Sequence, residues 1–458
     1  ENTSGGDNTA VGKNALDANT TGNYNVGVGK HALSANTTAS ENTALGTTSL
    51  YTNETGTGNT AVGMEALKMS LNGSYNTAIG RRALDANTSG SYNTALGNSA
   101  LDANTTGSSN TAIGTQALQN QNHTDSNGAT AVGHQALMAQ TSGERNSAIG
   151  YKSITANTTG NNNTAFGYET LMTCTDSGHH NTAIGVQSMK VAVTPRSNTA
   201  VGDSTLISLT DGDQNVAMGH NTLANCTTGY QNTAIGAGAV GSNVPAGYNV
   251  TTGFYNTLIG NRAGYNITVA ERNTLIGYNA GNNLIDGGGS GNGRNIAIGD
   301  DAVFSAGDDD RSIVIGHNTT GNGDNTTMIR GDGGIYNTGN TTAWQTTSDE
   351  RIKKNIVDNN TGLDILNQIQ VRNFEYRTEE EIVDFDNPKA AVINKEGLQL
   401  GVIAQEIAKV LPEVVKTQST GVKTVDPDNL IWYLVNAVKE LSAKNTTLET
   451  RLAALESA

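Results

Sequence analysis

Ser348 and Lys353 are two residues whose types could form a catalytic pair. A serine hydroxyl is a weak nucleophile at neutral pH and needs a base, and a lysine serves as that base only where burial or a nearby cation lowers its pKa. The spacing Ser-x-x-x-x-Lys is weak evidence by itself. Ser348 followed by Asp349 and Glu350 also fits a helix N-cap with an acidic first turn, which is a structural role.

The spacing of this pair raises a geometric question. On a regular α-helix, residues five apart lie about 140° apart around the axis, so Ser348 and Lys353 of one chain would face different directions. Either the backbone there departs from a regular helix, or the lysine comes from a neighbouring chain. In the second case, mixed oligomers of Ser348→Ala and Lys353→Ala chains would regain the reaction that this pair catalyses.

Cys174 and Cys226 are the two cysteines, and they occupy equivalent places three units apart in the repeat described below. Three strand spacings amount to about 14 Å, which exceeds the roughly 7 Å Cα–Cα limit of a disulfide. We therefore expect no intrachain bridge. The thiols are either inert small side chains or meet their equivalents in neighbouring chains.

Three short runs offer metal-ligand atoms, namely His179-His180, Asp300-Asp301 and Asp308-Asp309-Asp310. Calcium needs about six to eight oxygens, and no complete loop pattern such as an EF-hand is present. The histidines have no cysteine or acidic partner at the spacing of a structural zinc site. We expect solvated acidic loops, exposed histidines, and neither a metal nor a cofactor.

The elements that carry these residues divide into two parts of different composition. Residues 1–342 hold 51 of the 55 glycines and 38 charged residues, whereas residues 343–458 hold 4 glycines and 31 charged residues. Overall the chain is 35% hydrophobic, 5% aromatic and 15% charged, against about 25% charged in ordinary domains. The first part must have a thin core of small side chains, which favours an elongated fold.

A short pattern, Asn-Thr-Ala-(Val/Ile/Leu)-Gly, recurs along the first part in 18 copies, and 12 of the 17 spacings between copies equal 17 residues. Repetition at a fixed period predicts a solenoid, in which each unit is stabilised by its neighbours. The copies begin at Asn8, Asn25, Asn42, Asn59, Asn76, Asn93, Asn110, Ala129, Asn146, Asn163, Asn181, Asn198, Asn215, Asn232, Asn256, Asn273, Asn295 and, degenerately, Arg311.

Each unit predicts one coil of a parallel β-roll with two short strands and two turns. We expect the branched residue after the alanine and the later leucine to point inward as two ladders. About 18 coils rising about 4.8 Å each would give a rod on the order of 85 Å. Because so thin a core is barely self-sufficient, we expect a parallel homotrimer. The expected ladders are Val11, Val28, Leu45, Val62, Ile79, Leu96 and Ile113, and Leu16, Leu33, Leu50, Leu67, Leu84, Leu101 and Leu118.

The repeat resembles the head repeats of trimeric autotransporter adhesins and of related phage tail-fibre shafts, which carry a similar Asn-x-Ala-Ile-Gly core. The resemblance covers residues 8–316 and implies a left-handed β-roll, although the period here is longer. We assign 1–316 to this shaft and 317–342 to a transition segment. From about 237 the register loosens, and the Gly-rich insertion at 286–293 is either a receptor-contacting loop or a tolerated transition.

Residues 343–430 fit an α+β domain, and the whole segment 344–458 closely resembles the intramolecular chaperone autoprocessing domain of phage tail spikes, tail fibres and endosialidases. The resemblance rests on Ser-Asp-x-Arg-(Leu/Ile)-Lys at 348–353 and on Ile-Ala-Gln-Glu at 403–406. It implies a domain that trimerises, templates the folding of the preceding fibre and cuts itself off. By that resemblance the cut falls between Thr347 and Ser348, with Ser348 as nucleophile and Lys353 as general base.

Residues 431–458 show apolar positions alternately three and four apart, which predicts a trimeric coiled-coil helix rather than a lone amphipathic helix. Asn445 lies within the series and would fix the register of the chains at some cost in stability. The predicted seam contains Ile431, Leu434, Val438, Leu441, Asn445, Leu448, Leu452 and Leu455.

Charge and hydropathy argue against several other functions. A net charge of −15 repels phosphate backbones, so we expect no nucleic-acid partner. No run of 18 apolar residues occurs and the first residues lack a charged-then-apolar leader, so we expect no membrane insertion and no signal peptide. Glycan hydrolysis needs paired carboxylates on a rigid scaffold, and the acidic residues here are scattered.

These observations predict a homotrimeric fibre of a virion or cell surface that attaches to a host glycan or protein receptor. A Ser–Lys peptidase acting once on its own chain, in cis or in trans, would be its only catalysis. The alternative is a self-assembling filament or bacterial surface adhesin that keeps its C-terminal domain uncut.

Overall fold

The structure is a computed structural model, and it describes residues 2–122, 127–175, 178–236, 244–285, 293–330, 354–382, 393, 395–417 and 421–457. The chain divides into two compact units, Glu1–Ile335 and Tyr336–Ala458. The first is mainly β, and the second is a small α+β unit that contains a long helix near its C-terminus.

The first unit is a parallel β-solenoid. Within the described residues, 19 strands of three residues each form one parallel sheet in which every strand pairs with the next along the chain. The sheet strands are β1 (Thr9–Val11), β2 (Val26–Val28), β3 (Thr43–Leu45), β4 (Thr60–Val62), β5 (Thr77–Ile79), β6 (Thr94–Leu96), β7 (Thr111–Ile113), β8 (Thr130–Val132), β9 (Ser147–Ile149), β10 (Thr164–Phe166), β11 (Thr182–Ile184), β12 (Thr199–Val201), β13 (Val216–Met218), β14 (Thr233–Ile235), β15 (Thr257–Ile259), β16 (Thr274–Ile276), β17 (Ile296–Ile298), β19 (Ile313–Ile315) and β21 (Thr327–Ile329). Two shorter strands, β18 (Ala302–Val303) and β20 (Thr319–Thr320), pair with each other in parallel.

The register of the sheet is unchanged across coils of unequal length. Thr233 lies opposite Thr257 and Thr274 lies opposite Ile296, although these coils contain 24 and 22 residues. The extra residues are therefore accommodated between strands. The predicted insertion at 286–293 lies outside the described residues apart from Gly293.

The eighteenth repeat, which the sequence pattern placed at Arg311, begins one residue later than predicted. The backbone N–H of Ser312, and not that of Arg311, donates to Asn295 Oδ1 at 2.9 Å, as the first residue of a coil does elsewhere. The spacing from Asn295 is therefore the usual 17 residues. The sequence alone was misleading here because serine replaces the asparagine.

A column of buried asparagines at the first position of the coils binds adjacent coils to one another. Asn93 Oδ1 accepts a hydrogen bond from the backbone N–H of Asn110 at 3.0 Å, and its amide nitrogen donates to the carbonyl of Gly107 at 2.8 Å. The backbone N–H of Asn93 donates to Asn76 Oδ1 at 3.0 Å. Each such side chain thus satisfies polar groups that the narrow interior shields from water.

The strand alanine points into the coil, and the branched residue after it points out. Ala44 and Ala78 are fully buried, whereas Leu45 and Ile79 are 47% and 38% exposed. The inward ladder predicted for Val11 through Ile113 is therefore wrong. Successive residues of a strand face opposite ways, so the alanine and the branched residue cannot both point inward. Gly27 replaces the alanine in one coil, and a Cβ added there would lie 3.3 Å from Leu16 Cγ. The leucine leaves room for no more than a methyl group.

The second predicted ladder is confirmed, because the leucines from Leu33 to Leu118 are fully buried. They do not lie on a second strand, however, and most coils have one strand instead of two. Leu101 lies in a turn at φ 53°, and its N–H donates to the carbonyl of Ala117 in the next coil at 3.0 Å. This turn, with its positive φ, thus maintains the backbone hydrogen bonds between adjacent coils.

The second unit contains two small antiparallel pairs, β22 (Arg372–Phe374) with β23 (Gln399–Gly401), and β24 (Val415–Thr417) with β25 (Lys423–Val425). Its helices are α1 (Leu363–Leu366), α2 (Ala404–Val410) and α3 (Pro427–Glu456), with 3-10 turns at Glu379–Glu381 and Pro412–Val414. Ile407, Leu411 and Val414 form its buried core. No helix in the described part of the chain has the length and apolar character needed to cross a membrane.

Candidate functional site

The residues predicted to carry out self-cleavage, Thr347, Ser348 and Lys353, lie outside the described residues. The description resumes at Lys354, and the two apolar residues that follow shortly after, Ile356 and Val357, are 64% and 84% exposed. The mutual geometry of the nucleophile and the base therefore stays a prediction.

The motif Ile-Ala-Gln-Glu at 403–406 begins α2 and fixes it to the neighbouring hairpin. Glu406 receives two hydrogen bonds from Arg372 of β22, at 3.0 Å and 3.3 Å. Ile407, the next residue, is buried in the core. Because β23 pairs with β22, this fork-shaped ion pair sets the position of α2 against the hairpin.

Glu413 and Tyr433 join the 3-10 turn to α3. The Tyr433 hydroxyl donates to Glu413 Oε1 at 2.7 Å, and this hydrogen bond lowers the pKa of Glu413 and raises the pKa of Tyr433. Together with Asn359, Trp432 and Asn436 they line a cavity of about 350 Å³. Asn436 also donates to the carbonyl of Asn359 at 2.6 Å, so the first half of α3 is held against its own unit.

The second half of α3 has no comparable support. Every described residue from 441 to 457 is exposed. A free helix of this length is marginally stable in water. The apolar residues of the predicted seam are all exposed, at 55% for Ile431, 52% for Leu434, 58% for Val438, 57% for Leu441, 60% for Leu448, 57% for Leu452 and 75% for Leu455.

Asn445 lies on the same exposed seam. Its side-chain amide donates to Glu449 Oε1 of the same helix at 3.3 Å. Within one chain the asparagine therefore has only a local, solvent-exposed contact among those described, and its predicted role in setting the register of several chains stays a prediction.

The outward side of the long sheet is a second exposed surface, on which the first strand position is mostly threonine and the third is apolar. We call it the strand face, defined as the first and third residues of the 19 sheet strands. The strands contain no charged residue. Phe166, Leu96 and Met218 on this face are 54%, 43% and 42% exposed. This surface was not predicted from the sequence, because we expected the branched residues to point inward. The absence of charged residues from the strands was a signal that an uncharged surface could lie there.

The cysteines lie inside the coils. Cys174 and Cys226 are free thiols and fully buried, and burial raises the pKa of each to about 12. They cannot meet equivalents in neighbouring chains, so that alternative is wrong and the inert role is confirmed.

The candidate metal ligands are used in other ways. His179 Nδ1 accepts a hydrogen bond from the backbone N–H of Asn161 at 3.0 Å, and burial lowers the pKa of His179. Asp309 is 3% exposed and accepts from the backbone N–H of Ser305 at 2.9 Å, so the expectation of a solvated residue there is wrong. Within the described ranges no three His, Cys, Asp or Glu residues are grouped as metal ligands.

Comparison with protein families identifies one region. Residues 348–416 match the family model described as the chaperone of endosialidase. No curated protein matches the chain. The match confirms the resemblance drawn from the motifs: the chain carries a domain of this chaperone type after a long β-solenoid.

Proposed function

We propose that this chain is an attachment fibre of a virus particle, a tail fibre or tail spike, which trimerises and is assembled by its C-terminal chaperone domain. The observation that carries the proposal is the order of the parts. A segment matching the chaperone of endosialidase, 348–416, follows a solenoid of 19 stacked strands. A domain that assembles chains is needed where a repetitive shaft must pair with copies of itself.

The strand face is the surface through which three shafts would pack. Each chain has a net charge of −15, so copies repel one another over most of their surface. The strand face is free of charge along all 19 strands and exposes branched side chains. A continuous apolar surface of this extent is unusual for a monomer and marks an association surface.

The helix α3 would set the register of the trimer. Coils of 17 residues with nearly the same sequence can pair out of register by whole coils, and the strand face alone gives little to prevent this. A coiled coil through the exposed seam would align the three chains first. Asn445 within that seam would then select one alignment.

In the proposed self-cleavage, the acyl group of Thr347 first moves from the Ser348 nitrogen to the Ser348 oxygen. The Ser348 hydroxyl attacks the Thr347 carbonyl, an ester C–O bond forms, and the C–N bond to the Ser348 nitrogen breaks. Lys353, as base, takes the hydroxyl proton and delivers it to that nitrogen. Water then hydrolyses the ester and releases residues 348–458 from the fibre.

Intact mass spectrometry of the purified full chain tests the proposal. We expect a fragment ending at Thr347 in the wild type, none in Ser348→Ala, and normal cleavage in the neighbouring control Thr346→Ala. Native mass of the same samples should correspond to three chains. A single uncut species in all samples would contradict self-cleavage and favour a permanent C-terminal clamp, as in a structural filament.

A further inference from the structure

The residues that lie two places before the first residue of each coil form a column along one edge of the solenoid, which we call the edge column. In the first coils its residues are small and polar, and their side chains bind the preceding coil. Ser40 Oγ accepts from the backbone N–H of Asn23 at 3.0 Å, and Ser91 Oγ accepts from the N–H of Ser74 at 3.0 Å. These side chains serve the stacking of coils.

Larger or charged side chains replace the small polar ones farther along the edge column, first at Glu144 and then at His179. Arg196, Asp213, Tyr230 and Phe254 occupy it in four successive coils. The backbone of Arg196 forms parallel bridges to His179 and to Asp213, so the coils remain paired without a small polar side chain. A local departure from the rule of the repeat, with the scaffold intact, is where a functional site is expected.

These residues border a cleft of about 340 Å³, lined in part by Arg196, Asp211, Asp213, Gln214 and Tyr230. This volume lies at the lower end of ligand sites, which span about 300–1,000 Å³. Phe254 of the following coil stacks on Tyr230, with centroids 4.7 Å apart and planes 5° apart. Tyr230 lines the cleft together with residues that come mainly from the preceding coils, so it gives the cleft an aromatic wall.

The polar groups of the cleft include an unsatisfied acceptor. Asp213 Oδ1 is buried and has no hydrogen-bond partner among the described residues. Asp211 Oδ1 accepts a hydrogen bond from the Thr194 hydroxyl. Arg196 and Gln214 bring N–H donors to the same cleft. A buried acceptor without a donor is costly, and a turn of the Asp213 carboxylate that brings this oxygen to a ligand hydroxyl would satisfy it.

We infer that this cleft binds a neutral sugar residue of a glycan, an inference that rests on the attachment function proposed above. The apolar face of a sugar ring packs on the open face of Tyr230. Its hydroxyls donate to the Asp213 and Asp211 carboxylates and accept from Arg196 and Gln214. The cleft is lined by two carboxylates and one guanidinium, so its net charge is negative. It would therefore repel the carboxylate of an acidic sugar.

The test is binding of the full chain to an array of immobilised glucose, galactose, mannose and N-acetylglucosamine oligosaccharides. We expect binding to at least one of them, and at least tenfold weaker binding for Tyr230→Ala and for the nearly isosteric Asp213→Asn. Tyr92→Ala is the matched control, because Tyr92 is also an exposed, stacked tyrosine of the solenoid, with its ring 5.3 Å from that of Tyr75. It should bind as the wild type does.

Two results would overturn the inference. One is binding that Tyr230→Ala and Asp213→Asn both retain in full, and the other is absence of binding to every neutral probe. Since the intact-mass and native-mass measurements need no sugar, a cleaved trimer without sugar binding would reject the cleft alone. An uncut monomer would instead reject the fibre itself.

Discussion

At the scale of single residues, the glycine that ends each strand is the least replaceable position of the coil. Gly97 has φ +140°, and an added Cβ would lie 2.5 Å from the carbonyl oxygen of Gly114 in the next coil. Both the backbone conformation and the close approach exclude a side chain. The same contact recurs at the corresponding glycines along the solenoid.

Gly97→Ala should therefore destabilise the solenoid by about 3 kcal/mol or more, through backbone strain and separation of two coils. Thermal unfolding of the full chain, followed by circular dichroism, measures this. The next residue, Asn98, is exposed, and Asn98→Ala should change stability by less than about 0.5 kcal/mol. Equal melting temperatures for the two variants would contradict the role assigned to the glycine.

Two carboxylates in successive coils, those of the partly buried Asp85 and the buried Asp102, approach the same cation. Arg82 approaches Asp85 at 3.4 Å and Asp102 at 3.3 Å. Burial raises the pKa of both carboxyls more than Arg82 lowers it, and Asp85 further raises the pKa of Asp102. A carboxyl whose pKa is raised by folding favours the folded state when protonated, and this contribution is lost as pH rises through the folded-state pKa.

Asp102→Asn should consequently stabilise the solenoid at pH 7, by about 0.2–1 kcal/mol, and by less at pH 3, where the wild-type carboxyl is protonated. Thermal melts at the two pH values compare the gains. Asp102→Glu keeps the charge and should show no such gain at pH 7. A gain of equal size at both pH values would mean that charge is not the cause.

At the scale of elements, α3 is a helix whose second half is exposed at every described residue. Replacing a seam leucine by aspartate places a charge where the chains would meet. Leu448→Asp should destabilise the trimer by about 2–5 kcal/mol and reduce helicity, because the free helix is marginal. Native mass and far-ultraviolet circular dichroism report both effects.

The control for this helix is Thr450→Asp. Thr450 lies two residues beyond Leu448, off the seam, and its hydroxyl bonds to the carbonyl of Thr446 within the same helix. This variant should remain trimeric. If Leu448→Asp also remains trimeric and fully helical, the seam is not the contact between chains.

The sequence predicted the elements that depend on local spacing. The 17-residue period placed the strands, and the alternation of three and four placed the α3 seam, since both are read from neighbours along the chain. It misplaced the inside of the coil. The alternation Thr-Ala-Ile allows either face inside, and the choice is made by Leu84 and its equivalents, which fill the interior from a turn.

The turn itself was also unpredictable from residue types. Leucine rarely adopts positive φ, yet Leu84 does so at 56°. Its N–H bonds to the carbonyl of Ala100 at 2.9 Å, so a contact with the next coil overrides the local preference. Among the candidate sites, the cleft beside Tyr230 is formed by residues of several stacked coils. The spacing of residues within one repeat therefore could not predict it.

At the scale of the whole molecule, the strand face should hold the shafts together after the C-terminal domain has left. The double change Ile79→Glu and Leu96→Glu introduces two charges per chain on this face, each costing several kcal/mol if buried without a partner. We expect the cleaved wild-type fragment to remain trimeric by native mass and this variant to fall to monomers.

The matched control places the same charges on another surface. Tyr75 and Tyr92 are 54% and 64% exposed and stack on each other outside the strands. Tyr75→Glu with Tyr92→Glu should leave the fragment trimeric. Dissociation of this control but not of the strand-face variant would move the interface to the surface that carries these tyrosines.

The unbroken pairing of strands through coils of unequal length has a genetic consequence. Each coil pairs with its neighbours alone, so a recombination event that duplicates or deletes 17 codons between near-identical repeats adds or removes one coil and changes only the contacts at that junction. The length of the fibre is thus a trait that the gene can change in single steps, each yielding a chain that still folds.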